Sequence, residues 1–223
     1  YFDVLASMSA AKRLRFEAGE WASEVNGALW AAEDRKAPDG RVMPGLDSLR
    51  VAELPEMRRI VVAVDPSGTR GDGGGDDIGI IVAGVGIDGH GYVIADETCN
   101  LSPEGWGRRA VDLYHRHKAD RIVAERNFGG DMVRFTVSTA DKTAAFKEVV
   151  ASRGKAVRAE PVSALYEQGR VHHVGAFSDL EDQMCNFTAS GFVGEGSPDR
   201  ADALVWALTE LMLGEGYQWQ GAI

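Results

Sequence analysis

The hydrophobic pattern in the middle of the chain predicts a β-sheet. A run of five apolar, mostly β-branched residues, Ile60–Val64, ends at Asp65 and a Pro-Ser-Gly sequence. Such a run, closed by turn residues, is typical of a buried strand. Two further apolar runs, 78–87 and 91–96, flank the dipeptide Asp88-Gly89, which is typical of a hairpin turn. The three runs together predict an antiparallel meander.

A helix and a returning strand follow the meander. Ser102 and Pro103 begin a helical pattern that continues to Lys118. The next apolar run, Arg121–Glu125, again ends in an acid and a turn, which predicts a parallel strand beside the first one. Beyond it, the pattern predicts a helix at 131–137, a strand at 146–151, a helix at 155–168, a strand at 171–174 and a helix from 178.

The last predicted helix carries two acids near its start. Ser197 is a typical N-cap residue and Pro198 a typical first helical residue, so Asp199 is expected in the first turn and Asp202 one turn later. An apolar stripe from Leu204 onward would pack this helix on the sheet. Asp202 is then expected at the edge of the stripe, directed along the sheet toward the strand ends.

The first 56 residues have a different pattern. Residues 1 to about 36 show apolar positions near helical spacing, and residues 37–56 are rich in Pro and Gly, with room for one short strand near 49–52. We therefore predict a helical and linker segment at 1–56 and a main domain at 57–223. The chain begins with Tyr1 rather than Met, which favours a fragment of a longer protein.

Composition narrows the possible functions. The chain has a formal net charge of −10, whereas proteins that bind DNA unaided usually carry an excess of basic residues. The charge therefore argues against strong autonomous DNA binding. The only two cysteines, Cys99 and Cys185, have no zinc-ligand spacing and exclude a disulfide framework. No apolar run approaches the ~20 residues of a membrane span, so we expect no membrane contact and a cytosolic location.

Asp65, Glu125 and Asp202 are expected to meet at one edge of the sheet. Parallel neighbours place their carboxyl ends over the same crevice, where open α/β sheets bind ligands. Because carboxylates in close contact raise one another's pKa, a divalent cation would stabilise the cluster. Hard oxygen ligands suit Mg²⁺ or Mn²⁺, and two such ions can support phosphodiester cleavage. The competing interpretations are a turn cap for Asp65 and helix-dipole compensation for Asp199.

The chain from about 59 to 213 resembles the nuclease domain of the large terminase subunit of tailed bacteriophages. The resemblance implies an α/β, ribonuclease H-like fold of the retroviral-integrase type: a mixed central sheet flanked by helices, here with a helical N-terminal extension. It is carried, in order, by VAVDPSG (62–68), DDIGIIV (76–82), IVAERNFGG (122–130), GKAVRAEPVSALYEQGRVHH (154–173), LEDQM (180–184) and SPDRADALVWAL (197–208).

Residues carried over from the family give a site hypothesis. Asp65, Glu125 and Asp202 match the catalytic, metal-binding acids. Asp199 lies where several relatives have a further polar ligand, and Asp77, or its neighbour Asp76, would approach the metals from the loop. The candidate DNA-contacting residues are Lys142, Lys155, Arg158 and Arg170, for each of which solvated surface is the competing interpretation.

The resemblance implies a function in genome packaging. The implied activity is largely sequence-nonspecific cleavage of concatemeric double-stranded viral DNA when packaging starts and ends. This cleavage would depend on two bound metal ions, either Mg²⁺ or Mn²⁺. Residues 15–30 resemble the segment that joins the packaging ATPase to the nuclease, so we expect an ATPase domain upstream. Further expected partners are the small terminase subunit and the portal, with the isolated domain monomeric, in the cytoplasm of the infected bacterium.

Three other functions fit parts of the sequence. A junction resolvase or transposase-type nuclease would use the same acids, although the runs 154–161 and 180–184 argue against it. VDPSGT also resembles the first phosphate loop of actin-like ATPases and sugar kinases, but these need a second copy of the module. A noncatalytic portal-docking domain is the third alternative, and the intact acids argue against docking alone.

Overall fold

A mixed seven-stranded sheet forms the centre of the computed structural model, which describes residues 25–66, 77–126, 131–151 and 154–214. The strands are β1 (Arg35–Lys36), β2 (Val42–Met43), β3 (Arg50–Val51), β4 (Met57–Pro66), β5 (Ile78–Gly86), β6 (Gly91–Asp96), β7 (Arg121–Glu125), β8 (Phe146–Val149), β9 (Val171–Val174), β10 (Phe187–Thr188) and β11 (Gly191–Phe192). The helices are α1 (Pro103–Arg116), α2 (Asp131–Ala140), α3 (Lys155–Glu167), α4 (Ser178–Cys185) and α5 (Asp199–Leu208), with a 3₁₀ turn at Leu46–Leu49 and a π turn at Thr209–Leu213.

The order of strands in the sheet is β3-β9-β6-β5-β4-β7-β8. β4, β5 and β6 form the predicted antiparallel meander. β7 lies parallel to β4, and β8 parallel to β7. On the other side, β9 and β3 continue the sheet in parallel from β6. Six of the seven strands therefore end at the same edge, which we call the carboxyl edge.

Helices cover both faces of the sheet. Along β4, Val61 and Ala63 face one apolar cluster together with α3, α4 and α5, whereas Val62 and Val64 face a second cluster with α1 and α2. Because both faces are covered, β5 is buried at every position and reads as one continuous apolar run.

The described part of the N-terminal segment packs into the first of these clusters. Residues 25–36 contain no α-helix, so the predicted helix is wrong there; the rest of it lies outside the described residues. The backbone N–H of Leu29 donates instead to Phe187 O (2.7 Å), and the Trp30 ring makes edge contacts with Tyr166 and Phe187. This tertiary pairing overrides the local helical pattern. The short strand expected near 49–52 forms as β3 and is the outermost strand of the sheet, next to β9.

Two features of the sequence have simple structural outcomes. Cys99 and Cys185 are both free thiols. Over the described ranges, every helix is too short or too polar to cross a membrane.

Candidate metal centre

Asp65 and Glu125 lie side by side at the carboxyl edge. β4 and β7 pair in register up to Val64 and Ala124, so the next residue of each strand is one of the two acids. Both side chains are buried, at 4% exposed for Asp65 and 8% for Glu125. The adjacency expected from the two apolar runs is therefore present.

Helix α5 brings two more acids. It begins at Asp199, and both Asp199 and Asp202 lie in its first turn and are buried. The start of the helix is packed tightly against β5: a Cβ atom at Gly79 would lie 2.0 Å from the carbonyl oxygen of Asp199. Only glycine at this position allows so close an approach of helix to strand.

The predicted side-chain cap of α5 is wrong. Pro198, not Ser197, occupies the N-cap position, and no side-chain cap bond forms there. The amide of Gln183 on α4 replaces it: its Oε1 accepts the N–H groups of Arg200 (3.0 Å) and Ala201 (3.2 Å), and its Nε2 donates to Ser197 O (3.4 Å). Free N–H groups at a helix start need acceptors, and here a neighbouring helix supplies one.

The carboxylates perturb one another. Burial raises the pKa of Asp65 well above its usual value, and the charges of Asp202, Glu125 and Asp199 raise it further, against the opposing charge of Lys155. The pKa of Asp202 is also raised, by burial first, although Lys155 and Arg158 oppose the shift. For both acids burial is the largest cause of the raised pKa, and neighbouring carboxylates add to it.

Two basic side chains of α3 reach into the cluster. Lys155 Nζ forms an ion pair with Asp202 Oδ2. Burial lowers the pKa of Lys155, but the charges of Asp202, Asp65 and Asp199 outweigh burial and raise it. The Arg158 guanidinium lies 3.6 Å from Glu125 Oε2 and 3.8 Å from Asp202 Oδ1. The Lys155 side chain is 45% exposed and that of Arg158 only 4%, so Lys155 is the solvent-accessible cation and Arg158 the buried one.

Trp206 is a part of the site that the sequence interpretation missed. Its Nε1 donates a hydrogen bond to Glu125 Oε2 (3.1 Å), and the Arg158 guanidinium carbon lies 4.4 Å from the centre of its ring. The available signal was its spacing of four residues from Asp202, which places both side chains on one side of a helix.

The other predicted site residues lie at opposite ends of the strands. Asp77 directly precedes β5, whose first residue pairs with the last residue of β4, so Asp77 lies at the carboxyl edge, 3.8 Å from Arg200. Lys142 and Arg170 are exposed and precede β8 and β9, so they lie at the opposite edge of the sheet from the acids. Asp76 is outside the described residues.

The donor set fits a divalent cation held by carboxylates. Across the ranges that the structure describes, no three His, Cys, Asp or Glu side chains are already arranged as metal ligands. Lys155 and Arg158 lie against two of the acids instead. The three acids Asp65, Glu125 and Asp202 are nevertheless buried, and they lie close enough for their charges to interact. They offer only oxygen donors, which are the ligands that Mg²⁺ and Mn²⁺ prefer.

Known structures share this fold. The nuclease of the large terminase of thermophilic phage G20c matches 85% of this chain and 97% of its own, with a TM-score of 0.55 and 16% identity. The same nuclease with bound cobalt has a TM-score of 0.57, 17% identity and coverages of 84% and 99%. The large terminase of bacteriophage HK97 has a TM-score of 0.52 and 11% identity, over 72% of this chain and 40% of its own.

The sequence itself assigns the family. No curated protein matches the chain. The profile of the family described as the terminase RNase H-like domain matches residues 62–211, from within β4 to the turn after α5. This range contains Asp65, Glu125 and Asp202, together with the second half of β4, all of β5 and β6, and the crossover helix α1. The fold expected from the sequence is confirmed, and the chain belongs to the terminase RNase H-like domain family.

Proposed function

We propose that the chain is an endonuclease that cleaves double-stranded DNA at the cluster of Asp65, Glu125 and Asp202, with bound divalent metal. The observation that carries the proposal is the convergence of three buried carboxylates from β4, β7 and α5, at which the pKa of Asp65 is raised well above its usual value. A cluster of this kind at the carboxyl ends of strands is a typical functional site of α/β sheets.

Asp65, Glu125 and Asp202 would hold the metal, and Asp199 would support it from the start of α5. Solved terminase nucleases have been described with bound magnesium and cobalt, and that of phage Sf6 with manganese. Two Mg²⁺ or Mn²⁺ ions bound here would activate a water molecule and stabilise the leaving oxygen of the phosphodiester.

Lys155 is the DNA contact that fits this site best. Its side chain is 45% exposed and pairs with Asp202, and on this proposal it would leave the carboxylate to meet a phosphate of the bound strand. Arg158 is too deeply buried to reach DNA on the surface, and it acts as a fixed counter-ion. Lys142 and Arg170, at the opposite edge, would meet only a second or strongly bent DNA segment.

The biological substrate in this proposal is concatemeric viral DNA, cut largely without sequence preference when packaging begins and ends in the cytoplasm of the infected bacterium. A net charge of −10 makes tight unaided DNA binding unfavourable. An upstream ATPase domain, the small terminase subunit and the portal would hold the DNA, and the isolated domain would be monomeric. Weak binding would then limit random cutting.

Supercoiled plasmid tests the proposal. We expect the protein to nick and linearise it with Mg²⁺ or Mn²⁺ but not with EDTA. We expect each of three variants to reduce the cleavage rate by more than about 100-fold: Asp65→Ala, Glu125→Ala and Asp202→Ala. Loss of a residue that only supports a metal ligand costs at most about 100-fold, so loss of a ligand should cost more. Asp112→Ala, which removes an exposed acid of α1, is the matched control and should cut normally.

Metal binding separates the remaining outcomes. If the protein is inert but binds Mn²⁺ in calorimetry, and Asp202→Ala does not, the site is correct and cleavage requires another domain or partner. A protein that neither cuts DNA nor binds Mn²⁺ would show that the proposed site is wrong.

A further inference from the structure

One oxygen of Glu125 is held from two directions. The indole N–H of Trp206 donates to Oε2 at 3.1 Å, and the Arg158 guanidinium lies 3.6 Å from the same oxygen. All three side chains are buried, with Trp206 5% exposed and Arg158 3% exposed. A charge-assisted hydrogen bond in a buried setting fixes the orientation of a carboxylate more firmly than the same bond in water.

Arg158 in turn stacks on Trp206. Its guanidinium lies over the indole ring at 4.4 Å, a cation–π contact. Within the described part of the chain, its Nε and Nη1 atoms are buried and have no hydrogen-bond acceptor. Leaving such donors unsatisfied costs stability, so folding alone gives a poor reason for a buried arginine here. Its position between two acidic side chains of the site gives a better one.

We propose that Trp206 is a positioning residue for Glu125: the indole, with Arg158 stacked on it, fixes Oε2 and so sets the orientation in which the carboxylate receives the metal. This inference rests on the proposed function. Supporting hydrogen bonds to ligating carboxylates commonly tune metal affinity in this way. Helix α5 thus supplies one ligand, Asp202, and one turn later the group that orients another.

Trp206→Phe is the direct test, since it removes the N–H but keeps a ring for packing and for Arg158. We expect Mn²⁺ binding, measured by calorimetry, to weaken by about tenfold or more. Trp106→Phe is the matched control, because Trp106 is also buried but lies on α1, in the other apolar cluster. It should bind Mn²⁺ like the wild type. Equal affinities for the wild type and Trp206→Phe would overturn the inference.

A double-mutant cycle distinguishes positioning from general loosening. With Glu125→Ala already present, Trp206→Phe should weaken Mn²⁺ binding no further, because the carboxylate that it orients is gone. If the two losses add, Trp206 has only a structural role. Failure of the proposed function looks different, since the wild type itself would then fail to bind Mn²⁺.

The wild-type protein provides a second readout that needs no variant. Of the five indole N–H resonances expected for five tryptophans, the assigned Trp206 signal should move when Mg²⁺ saturates the site. That shift should be lost in Glu125→Ala. A Trp206 signal that stays in place at saturating Mg²⁺ contradicts the inference.

Discussion

Asp65 carries an electrostatic cost in the metal-free protein. Burial and three neighbouring carboxylates raise its pKa well above the unfolded value of 3.8. A raised carboxyl pKa means that the folded state binds more protons than the unfolded state between those two pKa values. The stability of the metal-free protein therefore falls as the pH rises through this window.

Asp65→Asn removes that charge with little change of shape. We predict a higher melting temperature than the wild type at pH 7 without metal, because a buried amide carries no charge to desolvate and does not repel Asp202 or Glu125. The gain should shrink as the pH falls toward 4, where the wild-type carboxyl is protonated. Added Mn²⁺ should stabilise the wild type but not the variant. Thermal melts with EDTA and with Mn²⁺ measure both effects, with Asp112→Asn as the control, and a lower melting temperature for Asp65→Asn in EDTA would contradict the prediction.

At the scale of single residues, the sequence predicts the positions of the buried acids better than the contacts that surround them. The positions of Asp65 and Glu125 were predictable because each residue ends an apolar run, and strand ends have a fixed place in the sheet. The contacts of Trp206 with Glu125 and of Gln183 with α5 join residues far apart in sequence, and no local pattern encodes them. Lys142 and Arg170 show the same limit, since a basic residue in a loop does not reveal which edge of the sheet the loop covers.

At the scale of elements, one buried carboxylate connects α4 with β3 and β9, and through β9 with α3. Glu181 on α4 forms an ion pair with Arg50 of β3, accepts a hydrogen bond from the ring of His173 on β9, and accepts the N–H of Phe177. Burial raises the pKa of Glu181, but the hydrogen bonds from His173 and Arg50 and their charges outweigh burial and lower it to about 2. His173 itself donates to or accepts from the Tyr166 hydroxyl on α3 at 2.9 Å.

Glu181→Gln should destabilise the fold by about 3 kcal/mol at pH 7, because it leaves the buried partners of the carboxylate uncompensated. The lowered pKa means that the contribution of Glu181 is complete above its unfolded pKa of 4.5 and is lost as the pH falls toward 2. The gap between variant and wild type should therefore close over that range. Urea unfolding from pH 7 down to pH 3 measures it.

The control for this prediction is a surface ion pair. Glu104 and Arg108 are about 70% exposed, so Glu104→Gln should change the unfolding free energy by less than about 1 kcal/mol at any pH. A constant gap for Glu181→Gln across the whole pH range would mean that the carboxylate is not ionised at neutral pH.

Most elements were predictable because their signals are local. The strands of the meander are short apolar runs with a hairpin turn between two of them, and α1 has both an N-cap and a first-turn proline. The segment 25–36 was not predictable in the same way. Its apolar residues have helical spacing, but Trp30 finds its partners on Tyr166 and Phe187, more than a hundred residues away.

At the scale of the whole molecule, the segment before β4 is part of the core. Trp30, Leu46 and Leu49 belong to the same buried cluster as α5, and β3 completes the sheet edge. The boundary near residue 57 remains a prediction from composition, and it can be tested by truncation.

We expect a 57–223 fragment to lose the cooperative thermal melt of the full chain, because removing one buried tryptophan alone costs about 3–5 kcal/mol. Trp30→Ala in the full chain should cost about that amount, whereas Leu54→Ala, at a 39% exposed position in the same segment, should cost much less. Circular dichroism melts compare the four proteins. A fragment that melts like the full chain would establish 57 as the start of an independent unit.

The separate origins of the three acids have a consequence for synthesis of the protein. Asp65, Glu125 and Asp202 come from β4, β7 and α5, and the helix that carries Asp202 is made long after the strands. On the proposed function, a chain emerging from the ribosome remains harmless to DNA until α5 has been translated and has docked beside Gly79. On the same proposal, premature termination anywhere before that helix would leave a product that lacks Asp202 and is unable to cut.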